Sequence, residues 1–394
     1  MLVGDLLLTV LAALVAVPFL VLGLEAFLSL WPIRPVRQAD QRPRTAILIP
    51  AHNEEAGIAA TIRNVLEQAA PGDHVLVVAD NCTDRTAEVA REAGADVVER
   101  VDADRRGKGY ALDFGIKKLT EFAPDVVVVV DADCLLGPAA LDALGRQVMA
   151  TGRPAQGVYL IGTGREDDPK RRLSAFAVLV KNKIRPLGLH RAGFPCLLTG
   201  TGMAFPWAAV QKVELGTGNI VEDMKLGADL ALAGYPPQLC PPAELTGAAA
   251  PTTQAAVKQR TRWEHGHVHT LATQTPRLIA ASVTQFRPGL IGLGLELGIP
   301  PLSLLFAVWC LLWLGCLVWW QVLGGTWAGW LVLSIALVFA GTMVFGSWLK
   351  FGRKVLPFLS LAGTPVYIVW KLPIYLRLAI RREKTWTRTD RGGS

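Results

Sequence analysis

With 394 residues, 51% of them apolar and only 19% charged, the chain is too oily for an ordinary soluble protein and long enough for a full domain plus membrane segments. The excess of 40 Lys and Arg over 33 Asp and Glu suits a domain resting on anionic lipid, and no interleaving of bases with aromatics suggests nucleic acid. The six cysteines form no C-x-x-C pair, so neither a disulfide framework nor a zinc site is expected.

Residues 6–24, LLLTVLAALVAVPFLVLGL, carry no charge and are long enough to cross a bilayer core. No Lys or Arg precedes them, so residues 1–31 are expected to be a retained transmembrane anchor and not a cleaved signal. Arg34, Arg37, Arg42 and Arg44 follow. By the positive-inside rule they place the next domain in the cytoplasm, in a multi-pass protein of the inner (plasma) membrane. From TAILIPA, residues 45–51, to VVVVV, residues 126–130, strand-like runs alternate with helical ones. That is the pattern of an α/β domain with a parallel, Rossmann-like sheet, expected over residues 43–285. Five valines without polar alternation need cover on both faces.

Beyond it, the apolar run Gly289–Leu323 contains one charge, Glu296, and Pro300 and Pro301 should divide it into an interfacial segment and a span over residues 301–322. A GGT turn then reverses the chain into residues 327–349, with Trp327, Trp330 and Trp348 as expected interface anchors. Residues 355–380 hold three prolines and Lys371; a re-entrant or interfacial hairpin is preferred there over a further span. Residues 286–380 thus read as interfacial and transmembrane helices, and residues 381–394 as a basic cytoplasmic tail.

Charges collect where strands end. The valine strand runs into Asp131-Ala132-Asp133, which is either a polar turn or a cation site, and the motif alone leaves both open. The first strand ends in Asn53, Glu54 and Glu55, the second in Asp80. RRGKG offers Lys108 between two glycines as a point charge suited to phosphate. Glu222 and Asp223 open a helix, where dipole stabilisation alone would explain them and should keep Asp223 ionised. Ligands bind at the carboxyl ends of parallel strands, so together these residues would line one sheet edge.

In this order, D-x-D, E-D and the Q-x-x-R-W of Gln259, Arg262 and Trp263 resemble the inverting family-two glycosyltransferases. The likeness is greatest to the membrane polysaccharide synthases typified by cellulose, chitin and hyaluronan synthases, and it runs from residue 43 to about residue 270. It implies a GT-A fold with a mixed, mostly parallel sheet, flanked by transmembrane and interfacial helices. Asp80 would hold the base or ribose of a nucleotide sugar, with Asn53, Glu55, Lys108 and Asp131 beside it and Asp133 binding Mg2+ or Mn2+. Asp223 would be the general base and Glu222 its acceptor-side neighbour, while Gln259, Arg262 and Trp263 would close over the diphosphate and acceptor. Thr201 and Gly202 of LTGTGMAFPW, with Trp263, would meet the acceptor.

The chain departs from the pattern at Val221, where the synthases usually show Thr, and at Asp113, where relatives often have Asn. It also lacks the Arg often found after the loop glycines. His265, His267 and His269 are expected to pack or to touch acceptor, not to bind metal.

The resemblance implies inverting, metal-dependent transfer of a hexose from a nucleoside-diphosphate sugar, UDP-sugar first, to a growing exopolysaccharide or cell-surface glycan. Three or four membrane segments are few for a single-chain sugar channel. A homo-oligomer or export subunit would complete one, or the acceptor is polyprenyl phosphate or another lipid and no channel exists. A non-catalytic nucleotide-sugar-binding subunit is the competing reading from another class, and Asp133, Asp223 and Arg262 together argue against it.

Overall fold

The computed structural model describes residues 1–162, 168–216, 221–248 and 252–380; the basic tail expected over residues 381–394 lies outside them. After helix α1 (Leu2–Ser29) come β1 (Thr45–Ala51), α2 (Ile58–Leu66), β2 (His74–Asp80), α3 (Thr86–Glu92), β3 (Asp96–Arg100), α4 (Lys108–Lys118) and β4 (Val126–Val129). There follow β5 (Cys134–Leu136), α5 (Ala140–Thr151), β6 (Ala155–Ile161), α6 (Pro169–Leu179), a π-helical turn at Val180–Ile184 and α7 (Arg185–Ala192). Next are β7 (Met203–Pro206), α8 (Trp207–Val210), α9 (Glu222–Leu232), β8 (Gln238–Gly247) and α10 (Thr253–Thr284). The chain continues through α11 (Gly289–Leu297), α12 (Leu302–Gln321), α13 (Ala328–Ser347) and α14 (Thr364–Ile380).

All eight strands join one sheet in the order β3-β2-β1-β4-β7-β6-β8-β5. Strands β3, β2, β1 and β4 are mutually parallel, β7 runs against both β4 and β6, and β8 pairs parallel with β6 and antiparallel with β5. Ile47, Ile49, Val126 and Val128 pack on one face with α2 and α5, while Ala46, Leu48, Val127 and Val129 pack on the other with α4 and α9. The valine run has no alternation because helices cover both sides of it. From β1 the chain steps outward to β2 on one side and later enters β4 on the other. Such a reversal opens a crevice at the carboxyl ends of the two strands.

Helices α1, α12 and α13 with its extension to Gly352 are long and apolar enough to cross a membrane, and they share one apolar cluster. At Gly23 of α1 a side chain would strike Phe339 and Ala340 of α13, so the two helices meet at backbone distance. Asp5, near the start of α1, accepts hydrogen bonds from Trp319 Nε1 at 2.8 Å and the Thr326 amide at 2.7 Å. Pro300 and Pro301 separate α11 from α12.

Trp348, expected at an interface, is instead buried and donates to the Leu356 carbonyl, because α13 continues into a π-helical turn that folds it inward. A short 3-10 turn at Phe358–Gly363 runs directly into α14, so this segment is one helix and not a hairpin, lying against α6, α10 and α12.

Two charges in apolar sequence, Glu25 of α1 and Glu296 of α11, are explained by Arg185. Its guanidinium contacts Glu25 Oε2 and Glu296 Oε2, each at 2.9 Å, and the Glu296 carbonyl at 2.8 Å. All three side chains are buried, which joins α1, α7 and α11 through one charged core.

Candidate functional site

A cavity of about 250 Å³ lies at the carboxyl ends of β1 and β4 and is walled on another side by α10. At the end of β1, Asn53 adopts φ 55°, gives its amide to Thr83 Oγ1 at 3.1 Å and accepts from the Thr83 amide at 2.7 Å. Glu55 accepts from the Arg85 amide at 3.0 Å. Both were expected beside the nucleotide, but they clamp the loops after β1 and β2 together and do not line the cavity. His52 and Glu54 line it instead, since the left-handed turn at Asn53 exchanges which side chains face inward. Asp80 does reach the cavity, with its Oδ1 held by Arg100 at 2.6 Å and by Asn81 at 3.0 Å.

Lys108 lines the same space, pairs with Asp131 and donates to the Gly200 carbonyl at 2.6 Å. Burial would weaken its hold on the proton, but Asp131, Glu222 and Asp223 raise its pKa above the usual lysine value. Asp131 and Asp133 line the cavity, and their carboxylate oxygens and Cys134 Sγ lie within 4.8 Å of one another. The thiol is fully buried and donates to Asp133 Oδ1 at 3.6 Å, so the donors that remain are hard oxygens. Such a set fits Mg2+ or Mn2+ better than a thiophilic metal.

Thr201 and Gly202, the expected acceptor contacts, stay behind the cavity wall. Thr201 is fully buried and its hydroxyl accepts from the Asp131 amide at 3.0 Å, while Leu245 fills the space a Gly202 side chain would need. Their neighbours Thr199 and Gly200 face inward instead. Gly200 has φ 92°, and a Cβ there would lie 3.2 Å from Asp223 Oδ2 and 3.5 Å from Lys108 Nζ. Only glycine lets this loop come so close to both charges.

Glu222 and Asp223 enter from the amino terminus of α9. Desolvation raises Glu222 to about 7 despite nearby Lys108. Asp223 is also raised by burial, which outweighs the pull of Lys181, Lys108 and the Met224 amide at 2.8 Å. Water exclusion thus outweighs the helix-terminus stabilisation read from the sequence, and the Asp223 carboxyl lies above the usual aspartate range.

Capped by the Thr252 hydroxyl, which accepts from the Ala255 amide at 3.1 Å, α10 presents Gln259, Arg262 and Trp263 to the cavity from one helical face. The next turn of the helix buries His265 and His267. His265 Nε2 bonds the Ile374 carbonyl at 3.0 Å, and burial drives His267 down to about 3, a neutral packed ring. Among the described residues, the group arranged to hold a metal is the one at Asp131 and Asp133.

Lys181 and Asn182 of the π-helical turn and Tyr159 of β6 also line the cavity. No motif marks them; the only trace in the sequence is KNKIR, a basic cluster after an apolar run. Burial lowers the Lys181 pKa, and Asp223 is the main charge opposing that shift.

A family model described as "Glycosyltransferase like family 2" matches residues 43–266. The 4,4'-diaponeurosporenoate glycosyltransferase of Staphylococcus aureus (strain USA300) is 41% identical over 88 residues, which are 22% of this chain and 23% of the relative. The chain thus spans less than a quarter of the length of the curated relatives it matches. Among solved structures, a mannosyltransferase from Pyrobaculum calidifontis in complex with GDP-Man and Mn2+ overlays with a TM-score of 0.53 at 17% identity, covering 86% of this chain and 99% of its own. A glucosyl-3-phosphoglycerate synthase from Mycobacterium tuberculosis, with Mn2+, UDP-glucose and phosphoglyceric acid, gives a TM-score of 0.39 at 20% identity, covering 58% of this chain and 86% of its own.

Proposed function

Since the chain belongs to the glycosyltransferase-like family 2, we propose that it transfers one sugar, with inversion, from a nucleoside-diphosphate sugar to a lipid acceptor at the cytoplasmic face of the inner (plasma) membrane. One observation carries the reading. Asp131 with Asp133, Glu222 with Asp223, and Gln259 with Arg262 and Trp263 converge from three distant segments on a single cavity.

In this mechanism Asp80 meets the base or ribose, and Asp131 and Asp133 would hold Mg2+ or Mn2+. A divalent ion bound there supplies positive charge to the departing diphosphate. Arg262 adds a second cation to the same leaving group, and Lys108 holds Asp131 in place through their ion pair. Asp223 takes the acceptor hydroxyl proton as the oxygen attacks the anomeric carbon from the face opposite the diphosphate. Its raised pKa makes it a better base than an exposed aspartate. Trp263 offers the sugar a flat apolar face. Inversion follows from a single displacement with no covalent intermediate.

Two observations favour a lipid over a polymer. The three long apolar helices share one packed cluster, and the matched relative is named for transfer to diaponeurosporenoate, a lipid-like acceptor. Polysaccharide synthesis is the second reading, favoured by the Gln259, Arg262 and Trp263 face of α10. The test is nucleoside diphosphate release by purified protein in lipid, screened over UDP- and GDP-sugars with Mg2+, Mn2+ or chelator, followed by product sizing. Metal-dependent release with one added sugar supports the proposal, and a ladder of lengths would replace it with the polymer reading. Donor binding without release under every acceptor tried would favour a non-catalytic subunit.

A further inference from the structure

The cavity has a second half that the donor does not account for. In the sheet, β6 lies beyond β4 and β7 from β1 and β2, so its wall stands apart from the strand ends that carry Asp80. Ile161 and Val178 make that wall apolar, and beside them Lys181 has neither an ion pair nor a hydrogen bond among the described residues. Asn182 is 6% exposed, gives its Nδ2 to the Tyr159 carbonyl at 3.0 Å and leaves Oδ1 without a partner. The Thr199 hydroxyl is unpartnered too. The carrying segment is a π-helical turn, a rare backbone form that recurs at functional sites.

From these residues the geometry points to an acceptor subsite for an amphiphile that carries an anionic group besides its attacking hydroxyl, the phosphate or carboxylate oxygen on Lys181 and the chain along Ile161 and Val178. This rests on the glycosyltransferase reading and names the acceptor's chemical class. A neutral sugar would leave Lys181 without a hydrogen-bonded counter-charge, and a purely apolar lipid would leave the Thr199 hydroxyl without an acceptor as well. An anionic amphiphile satisfies the cation and the apolar wall together.

Its approach is marked on the outside of the same wall. Lys170 of α6 and Arg260 of α10 lie over the Trp370 ring, at 5.2 and 5.8 Å from its centroid. The segment that carries Trp370 exposes Phe358, Leu359, Val366 and Val369. Cations, a ring and exposed apolar side chains side by side match the headgroup boundary of an anionic membrane. A lipid head arriving there lies against α6 and α10, the two helices that continue to Val178 and Arg262 in the cavity.

The test uses the full chain in detergent with Mg2+, saturated with UDP or GDP, whichever calorimetry shows to bind. Farnesyl phosphate, farnesoic acid and farnesol are then titrated as probes of equal chain. At least one acid should bind about tenfold tighter than farnesol, the scale of one charge-assisted contact. The preferred acid identifies the head as phosphate or carboxylate. Lys181→Met should reduce the preference to under about twofold and Lys181→Arg should keep most of it, with nucleotide affinity unchanged in both. Retained nucleotide binding also certifies folding. Equal binding of the three probes, or a preference that survives in Lys181→Met, overturns the subsite. Loss of nucleotide affinity in Lys181→Met would place the lysine on the donor diphosphate and overturn it equally. If neither nucleotide binds wild type, the glycosyltransferase reading itself falls, and the subsite with it.

Discussion

The two walls of the cavity are built by different means. One is the edge of parallel strands, where Asp80, Asp131 and Asp133 follow buried runs within a residue or two and each position is set by strand register. The other is helical: Lys181, Asn182, Arg262 and Trp263 arrive from segments that meet only after α6, α7 and α10 have packed. A strand edge can be seen in a few consecutive residues. A helical wall depends on how helices settle on one another, and here they settle on α1 through Arg185.

The largest expected effect breaks the helical wall and spares the strand edge. Arg185→Met leaves Glu25 and Glu296 buried without their cation, and loss of one member of a buried ion cluster costs about 3–5 kcal/mol. A depressed Tm, with loss of activity at temperatures the parent tolerates, is the expected result; an unchanged Tm would mean the triad is not a structural joint. Next comes Asp223→Asn, which should lower kcat about a hundredfold or more while nucleoside diphosphate affinity holds. Near-normal turnover would remove Asp223 from the base role.

On the strand side, Asp133→Ala should weaken metal-dependent nucleotide binding by about tenfold or more, with metal-free binding unaltered. Titration calorimetry with and without Mg2+ separates the two. A subtler effect links the walls. The proposed mechanism requires ionised carboxyls in the cavity, and burial raises those of both Glu222, to about 7, and Asp223. The wild-type kcat/KM should therefore fall as pH drops toward and below neutrality, well above the range of an exposed carboxylate. Lys181 opposes the rise at Asp223, so Lys181→Met should move this acid limb to higher pH. A limb that stays in place would mean the two residues are not coupled. The smallest effect belongs to Asn53→Ala, which removes side-chain hydrogen bonds worth about 1 kcal/mol each and should cost stability more than turnover.

Much of the architecture was legible in the sequence for a physical reason. Unbroken apolar strands, the alternation with helices and the proline pair before α12 all act locally, so each could be read where it stands. The places where reading went astray involve geometry that spacing does not encode. A left-handed turn at Asn53 puts His52 and Glu54 in the cavity and takes Asn53 and Glu55 out of it. The glycine loop points Thr199 and Gly200 inward and leaves Thr201 supporting Asp131. Lys181 was invisible because an extra residue in a π-helical turn, not a motif, aims it. For Asp223, dipole and burial act in opposite directions, and only the enclosed cavity reveals which is larger.

The Arg185 cluster also separates two boundaries that are easily conflated. Similarity to the family covers residues 43–266, a segment that contains Arg185 but neither Glu25 nor Glu296. The limits of homology are therefore not the limits of folding. An excised catalytic segment would carry a buried guanidinium with both counterions left behind in the discarded pieces. It should aggregate where the whole chain in detergent does not, and the soluble-looking half of this protein is autonomous in ancestry but not in thermodynamics.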